Sequence, residues 1–476
     1  MNKQGKLRIG SSWRDTNEHM EVRNPANGER IGHIAQATEA DAQAAVDAAY
    51  QAFSKWSALP ANERSTLLLK WHALIAEHRE ELAEIMTLEQ GKPLQEAAGE
   101  IDYANSFIQW YAEEGKRVYG ETIPASSANK RIWVTKQPVG VAALITPWNF
   151  PASMITRKAA PALAAGCTVV IKPSEETPFT ALRLAELAEE AGIPAGVINI
   201  VTGVPGEIGG VWQRDARVRK LSFTGSTRIG KELMKGAADT MKKLSLELGG
   251  HAPFIVTEHA DLRKAVDGMI ASKFRNGGQT CVCTNRIYVH ESVADRFVQL
   301  AADKVAELKV GNGLDEETDI GPLINAAAVD KVLAQIEDAR SKGARVLVGG
   351  ERVTDLGNGH FVQPTLLADV TDDMVCMSEE TFGPLAPVTT FRTIDEAIER
   401  ANGSPYGLAA YVFTEQISEA VQIAERLEFG IIGLNDPLPS TAQAPFGGFK
   451  ESGVGREGGR YGIEEYLEVK YISLGL

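Results

Sequence analysis

The sequence predicts an α/β protein of two or three domains, with a parallel sheet in at least one of them. Three observations predict it. The 476 residues exceed the roughly 250–300 at which a single hydrophobic core stops growing. Hydrophobic residues make up 44% and charged residues 24%, the balance of a globular chain rather than of a disordered, collagenous or coiled-coil one. From about residue 140, short apolar runs alternate with amphipathic helical patterns, the mark of βαβ units.

The elements follow in chain order. Thr38 and Asp41 form a capping-box pattern before an Ala-rich helix that runs to Trp56. Over residues 61–90, Leu67, Leu68, Trp71, Leu74, Ile75, Leu82 and Ile85 recur at helical spacing, and Gly91 with Pro93 ends the run. Residues 118–137 read as an extended, partly polar ribbon. The apolar runs Val141–Ile145, Thr168–Ile171, Val197–Val201 and Leu221–Phe223 alternate with helical patterns near 152–164, 178–191, 206–213 and 227–238. A second α/β stretch covers about 250–433, and the chain closes on a strand-like run, Tyr466–Leu474. Exposed strand edges invite pairing, so the ribbon and the closing run are candidate oligomer contacts; ordinary surface hairpins are the alternative.

Composition excludes several function classes. Lys and Arg total 49 against 63 Asp and Glu, a net charge of −14, and such a surface repels phosphate backbones. No run of about 18 apolar residues predicts a membrane span, and MNKQGKLRIGSSW has no apolar leader core. Four cysteines cannot build a disulfide framework in a chain this long. The expectation is a cytoplasmic protein that works with neither nucleic acid nor membrane.

Glycine-rich segments raise the question of phosphate binding. Gly225-Ser-Thr-Arg-Ile-Gly230-Lys231-Glu232 follows a strand and opens a helix, close to the P-loop pattern. Glu232 stands where a hydroxyl should hold magnesium, and a carboxylate there repels phosphate. What survives is a helix N-terminus able to hold a pyrophosphate. Gly453-Val-Gly-Arg-Glu-Gly458 matches G-x-G-x-x-G formally, but no strand precedes it and too little chain follows for a βαβ unit, so it reads as a loop. Gly203, Gly206 and Gly209 read as a structural turn.

Two residues suggest chemistry. Cys281 lies in the polar, glycine-rich Arg275-Asn-Gly-Gly-Gln-Thr-Cys-Val-Cys283. A lone cysteine is most often buried and inert, but a nearby base favours thiolate, the nucleophilic form. The Cys-x-Cys pair has no second pair or His at ligand spacing, so no metal site is expected; Cys167 and Cys376 read as structural. Glu247 ends the strand-like Lys-Leu-Ser-Leu-Glu-Leu before Gly249-Gly250. There it serves either as a general base reaching a cleft or as a solvated strand-end charge.

Taken together, Pro147-Trp-Asn-Phe-Pro151, Lys172-Pro-Ser-Glu175, Phe223-Thr-Gly-Ser-Thr227, Leu246-Glu-Leu-Gly-Gly250, Gly278-Gln-Thr-Cys281, Glu380-Thr-Phe-Gly-Pro384, Pro445-Phe-Gly-Gly448 and Ser452-Gly-Val-Gly-Arg-Glu457 resemble the NAD(P)-dependent aldehyde dehydrogenases, in that family's order and through nearly the whole chain. The resemblance implies a Rossmann-type cofactor domain (1–117 and 138–247), an α/β catalytic domain (248–433), a substrate-mouth segment (434–456) and a β oligomerisation arm (118–137 and 457–476), assembled as a homodimer or homotetramer. It implies that Cys281 attacks the aldehyde, that Asn149 and the Cys281 backbone N–H stabilise the oxyanion, that Glu247 activates the hydrolytic water, and that Lys158 and Glu457 relay protons. It also implies that Trp148, Lys172, Ser174, Glu175, Gly225, Ser226, Leu248 and Glu380 line the dinucleotide. Glu175 accepts from a 2′-hydroxyl and repels a 2′-phosphate, which points to NAD, with NADP as the alternative.

Within that family the chain is most similar to the succinate-semialdehyde branch. Arg157, Arg275 and Ser440 match that branch's residues for the substrate's distal carboxylate, a role guanidinium suits by bidentate binding. The alternatives are an ion pair for Arg157 and thiolate stabilisation alone for Arg275. The mouth segment from Gly433 to Gln443 differs from the branch, with Asp436 and two prolines, so glutarate semialdehyde, 2-oxoglutarate semialdehyde or a broader aldehyde range stays open. By the same resemblance Cys283 is either a redox partner for Cys281 or a small packed side chain. A CoA-acylating relative, an NTPase and an inactive relative are the rival classes; the last should have lost Cys281, Asn149 or Glu247, and all three are present.

Overall fold

The computed structural model describes residues 3–476. The expected parallel sheet is present. Its eight strands lie in the order Gly453–Val454, Lys243–Glu247, Val218–Thr224, Val141–Ile145, Thr168–Lys172, Ile198–Ile200, Leu7–Ile9 and Ser12–Arg14. From Lys243–Glu247 to Ile198–Ile200 the strands run parallel. Every residue of Val141–Ile145 and Thr168–Lys172 is buried, because helices cover both faces and leave no side for polar alternation.

Local signals account for the flanking helices. Thr38 caps Glu39–Ala58 reciprocally with Asp41. The pattern over 61–90 divides at His78 into Ala61–Glu77 and Arg79–Gln90; the apolar spacing continues across the break, so the sequence reads as one helix. Gly91 ends the second at φ 95°, a conformation that suits glycine.

Register places the site. Glu247 pairs Thr224, Phe223 pairs Ile145, and Ile145 pairs Lys172, so the carboxyl ends of four strands form one row. From Val141–Ile145 the chain winds first to one side and then returns to the other, which makes the gap between Val141–Ile145 and Val218–Thr224 the switch point where such sheets bind ligands. The link 248–251 leads into a second sheet, ordered Arg345–Val348, Thr365–Ala368, Leu385–Phe391, Thr284–His290, Ala252–Val256, Ala409–Phe413 and Ile431–Leu434. It is parallel except at Arg345–Val348. Cys281 sits just before the amino end of Thr284–His290, against the carboxyl ends of the first sheet.

Leu467–Gly475 pairs antiparallel along its full length with Lys130–Pro138, whose other edge takes Glu121–Ile123. The ribbon and the closing run are therefore one sheet. Residues 453–458, expected as loop alone, contribute a short edge strand, with Leu246 and Glu247 pairing Val454 and Gly453. That antiparallel pairing comes from a distant segment, beyond the reach of a βαβ pattern. A Cβ on Gly453 would lie 2.2 Å from the Leu246 carbonyl oxygen, so Gly453→Ala must push this segment off the strand. Its expected cost is about 1–3 kcal/mol, read from the urea midpoint, whereas Gly475→Ala, where nothing lies within 4 Å, leaves the midpoint in place.

Candidate active site

Two cavities meet at one sulfur. The first, of about 350 Å³, is lined by Arg157, Arg275, Ser440, Tyr103, Phe446 and Cys281 among others. The second, of about 390 Å³, is lined by Trp148, Asn149, Gly225, Ser226, Leu248, Glu380 and again Cys281. Backbone conformation puts the cysteine between them. Asn276, Gly277 and Gly278 take φ of 53°, 62° and 77° in succession, and a Cβ on Gly278 would meet the Gly383 carbonyl oxygen at 2.1 Å. This left-handed curl, which glycine alone adopts freely, delivers Cys281 from the helix Leu262–Phe274 to the mouth of the second sheet.

The sequence suggests that a neighbouring base eases Cys281 toward thiolate. Burial decides otherwise in this state. It pushes the thiol up to about 12, and the opposing guanidinium charges of Arg157 and Arg275 only soften the rise. Glu247 is buried at its strand end, and neither carboxylate oxygen has a hydrogen-bond partner in the protein. Burial, reinforced by the charge of Glu457, holds it well above the ordinary carboxylate range, so it is a proton-bearing group rather than a solvated charge. Glu247 lines neither cavity.

Behind it lies a buried ion cluster. Glu457 pairs with both Arg157 and Lys158, and Lys158 Nζ also donates to Thr224 Oγ1 at 2.5 Å. Burial alone would raise Glu457, but these two cations reverse the effect and hold it below the usual range. The expected neighbours Lys158, Glu457 and Glu247 are thus brought together.

Arg157 is in the ion pair that one of its sequence readings expected. Its Nε is spent on Glu457, while Nη2 is buried with no partner. Arg275 Nε is likewise unpartnered. Phe446 lies under the Arg157 guanidinium at 4.0 Å and Phe150 near that of Arg275 at 5.4 Å, so the clamp candidates share one apolar-walled cavity with Cys281. Ser440 is there too, and Leu438 of the same mouth segment, whereas Asp436 is exposed and caps its own turn by accepting from Leu438 N at 2.9 Å.

Asn149 donates through Nδ2 to the Gln279 carbonyl at 3.0 Å, which leaves one amide N–H free beside Cys281. On the other side, Ser226 caps Thr227–Ala237, and Glu380 accepts from Gly250 N at 2.9 Å, with burial raising it to about 7. Lys172, Ser174 and Glu175 do not line this cavity. They follow the adjacent strand, where Lys172 Nζ pairs with Glu175 at 2.5 Å. Lys231 pairs with Glu451 and Glu232 with Arg228 at the surface, which removes both from phosphate duty.

Some lining residues escaped the sequence. Lys331 projects from Ala326–Ser341, and Phe382 packs edge-on to Trp148 at 5.6 Å. Phe382 stood inside a quoted motif without a role, and Lys331 carried no signal at all. Cys283 is buried, with Sγ 3.3 Å from Lys273 Nζ; it lines neither cavity, so the two sulfurs have different surroundings. All four cysteines are free thiols.

Comparison with known proteins bears directly on this geometry. A model of the aldehyde dehydrogenase family matches residues 13–472. The chain is 55% identical over 470 residues to a succinate-semialdehyde dehydrogenase [NADP(+)] of Escherichia coli, covering 98% of this chain and 97% of that one. It is 54% identical over 470 residues to a glutarate-semialdehyde dehydrogenase of Pseudomonas putida, at the same coverage. The crystal structure of a succinate-semialdehyde dehydrogenase from Burkholderia pseudomallei superposes with a TM-score of 0.98 at 51% identity, covering 99% of this chain and 98% of that one. A thiol set between a cationic pocket and a switch-point crevice, in a chain matched almost end to end, identifies this protein as a member of the aldehyde dehydrogenase family.

Proposed function

We propose that this enzyme oxidises a short aldehyde with a distal carboxylate, succinate semialdehyde fitting best, to the acid, with NAD as hydride acceptor. The observation that carries this reading is the first cavity, where Cys281 shares a wall with Arg157, Arg275 and Ser440. A four-carbon semialdehyde places its carboxylate several ångströms from its carbonyl, and unpartnered guanidinium N–H groups suit it.

The steps follow from the residues. Cys281 must lose its proton before it attacks the carbonyl carbon, since the thiolate is the nucleophile. The oxyanion of the resulting thiohemiacetal takes hydrogen bonds from the free Asn149 amide N–H and the Cys281 backbone N–H. Losing one such donor costs about 100- to 1000-fold in rate. The Trp148, Ser226, Leu248 and Glu380 cavity suits a dinucleotide: a helix N-terminus for phosphate, a carboxylate for ribose hydroxyls and an apolar wall for the ring. When bound, the nicotinamide accepts the hydride that leaves the substrate carbon. Once Glu247 has given up its own proton through Lys158 and Glu457, the thioester left on Cys281 is hydrolysed by water that gives its proton to the Glu247 carboxylate.

Glu175 favours NAD, because a carboxylate about 4 Å from a 2′-phosphate charge opposes it by roughly 4 kcal/mol at an effective dielectric of 20. Lys172, paired with it at 2.5 Å, offsets part of that. The Escherichia coli relative is named for NADP(+). The arm sheet keeps Val469, Tyr471 and Leu474 exposed, and we assign it to contact between copies in a dimer or tetramer. Glutarate semialdehyde, one carbon longer, is the second reading, since Leu438 and the prolines reshape the mouth.

Four outcomes are expected. NADH formation with succinate semialdehyde exceeds that with propanal or benzaldehyde in kcat/KM, and Arg275→Met lowers it by about 10- to 100-fold for succinate semialdehyde while an uncharged aldehyde of equal length changes little; the opposite ranking overturns the clamp. Activity rises with pH above neutrality, because Glu247 and Cys281, both held protonated by burial, gain their working forms as pH climbs toward their raised values. Glu247→Gln should give one burst of NADH and then stall at the thioester, seen by stopped-flow absorbance. Finally, Glu175→Ser should raise the NADP to NAD ratio of kcat/KM; an unchanged ratio removes Glu175 from cofactor choice.

A further inference from the structure

We propose that a buried ion pair in the wall of the first cavity, Lys92 with Glu100, positions both the oxyanion donor Asn149 and the helix that carries Arg157 and Lys158. The inference rests on the reading of Asn149 as oxyanion donor.

Lys92 follows the helix Arg79–Gln90, in the turn that the sequence marks only as a helix stop. Its Nζ lies 2.5 Å from Glu100 Oε2 and donates to the Asn149 main-chain carbonyl at 2.9 Å. Both side chains are 1% exposed. The same carbonyl accepts from Asn276 Nδ2 at 2.9 Å, and Asn276 belongs to the curl that presents Cys281. Asn149 is therefore pinned by its own carbonyl from two directions: one anchor reaches it from the nucleophile loop and the other from Lys92.

The other oxygen of Glu100 serves the helix. Ser153–Ala165 has no side-chain cap of its own, and Glu100 Oε1 accepts from Ala152 N at 3.0 Å and Ser153 N at 3.2 Å. A carboxylate at a helix N-terminus satisfies orphan N–H groups and meets the positive end of the dipole. One ion pair thus ties the start of this helix to the backbone of Asn149, four residues earlier in the chain than Ser153. An apolar pair of similar volume would fill the same space and spare the desolvation of two charges, while losing the bonds that Glu100 makes to the helix start. What it would not do is hold the Asn149 carbonyl.

The test is a set of variants assayed for NADH formation, with Asn149→Ala as reference. Lys92→Met should lower kcat by about 10- to 100-fold, less than the about 100- to 1000-fold for a donor removed outright, because a displaced amide keeps part of its bond. KM for an uncharged aldehyde of equal length, which is indifferent to the charge of a cavity-wall lysine, and the rate of Cys281 alkylation by iodoacetamide should stay near their original values. Lys92→Met combined with Asn149→Ala should be no slower than Asn149→Ala alone, because the lysine acts through that amide. Should Lys92→Met fail to fold, the apolar double variant Lys92→Met with Glu100→Leu replaces it and should show the same kcat loss. Unchanged kcat, losses that multiply with Asn149→Ala, or a loss that falls on KM or alkylation each overturns the proposal. Full activity in Asn149→Ala overturns the oxyanion reading, and this proposal with it; a slow Asn149→Ala beside a fast Lys92→Met overturns the positioning role alone.

Discussion

Proton placement in the site depends on one buried negative charge. Glu457 is ionised because Arg157 and Lys158 lie against it, and its charge helps keep Glu247 protonated. Two carboxylates in one low-dielectric space cannot both ionise cheaply, and cations beside only one of them decide which does. The result is a division at rest: Glu457 is the anion and Glu247 the protonated acid. The same pairing joins the helix Ser153–Ala165 to a residue some three hundred positions later, so the charge is also a tie between the two ends of the site.

Geometry on the other side comes from sheet register. The row Lys172, Ile145, Thr224 and Glu247 exists because four parallel strands end level with one another. A slip of one residue would turn each end-residue side chain to the opposite face, taking Glu247 away from its ion cluster. The short link 248–251 then carries the chain into the second sheet. The second cavity therefore straddles this link, walled by Trp148, Gly225 and Leu248 on one side and by Cys281, Lys331 and Glu380 on the other.

The cationic cavity has its own economy. Arg157 divides its donors between a structural partner and open space, and Arg275 keeps Nε unpartnered. Unpartnered buried donors cost stability unless something fills their bonds. A bound carboxylate would do so, which is the ground on which we propose an anionic substrate tail for this cavity. The thiol in the same wall rests protonated, because protein packing around it outweighs the nearby positive charge.

By itself the sequence determined the alternating βαβ pattern, the Thr38 cap, the Gly91 stop and the identity of the nucleophile loop, since each is written in spacing between near neighbours or in short motifs. It also carried the residues of the cationic cavity, through likeness to a known pattern rather than through any local rule. Tertiary structure alone decided the rest. Edge strand Gly453–Val454, the pairing of Leu467–Gly475 with Lys130–Pro138, the break at His78 and the lining roles of Lys331 and Lys92 depend on contacts between distant segments or on which face of an element is covered. The protonation of Cys281 and Glu247 belongs there as well: the residues were legible in the chain, but desolvation is a property of everything packed around them, and no linear pattern records that.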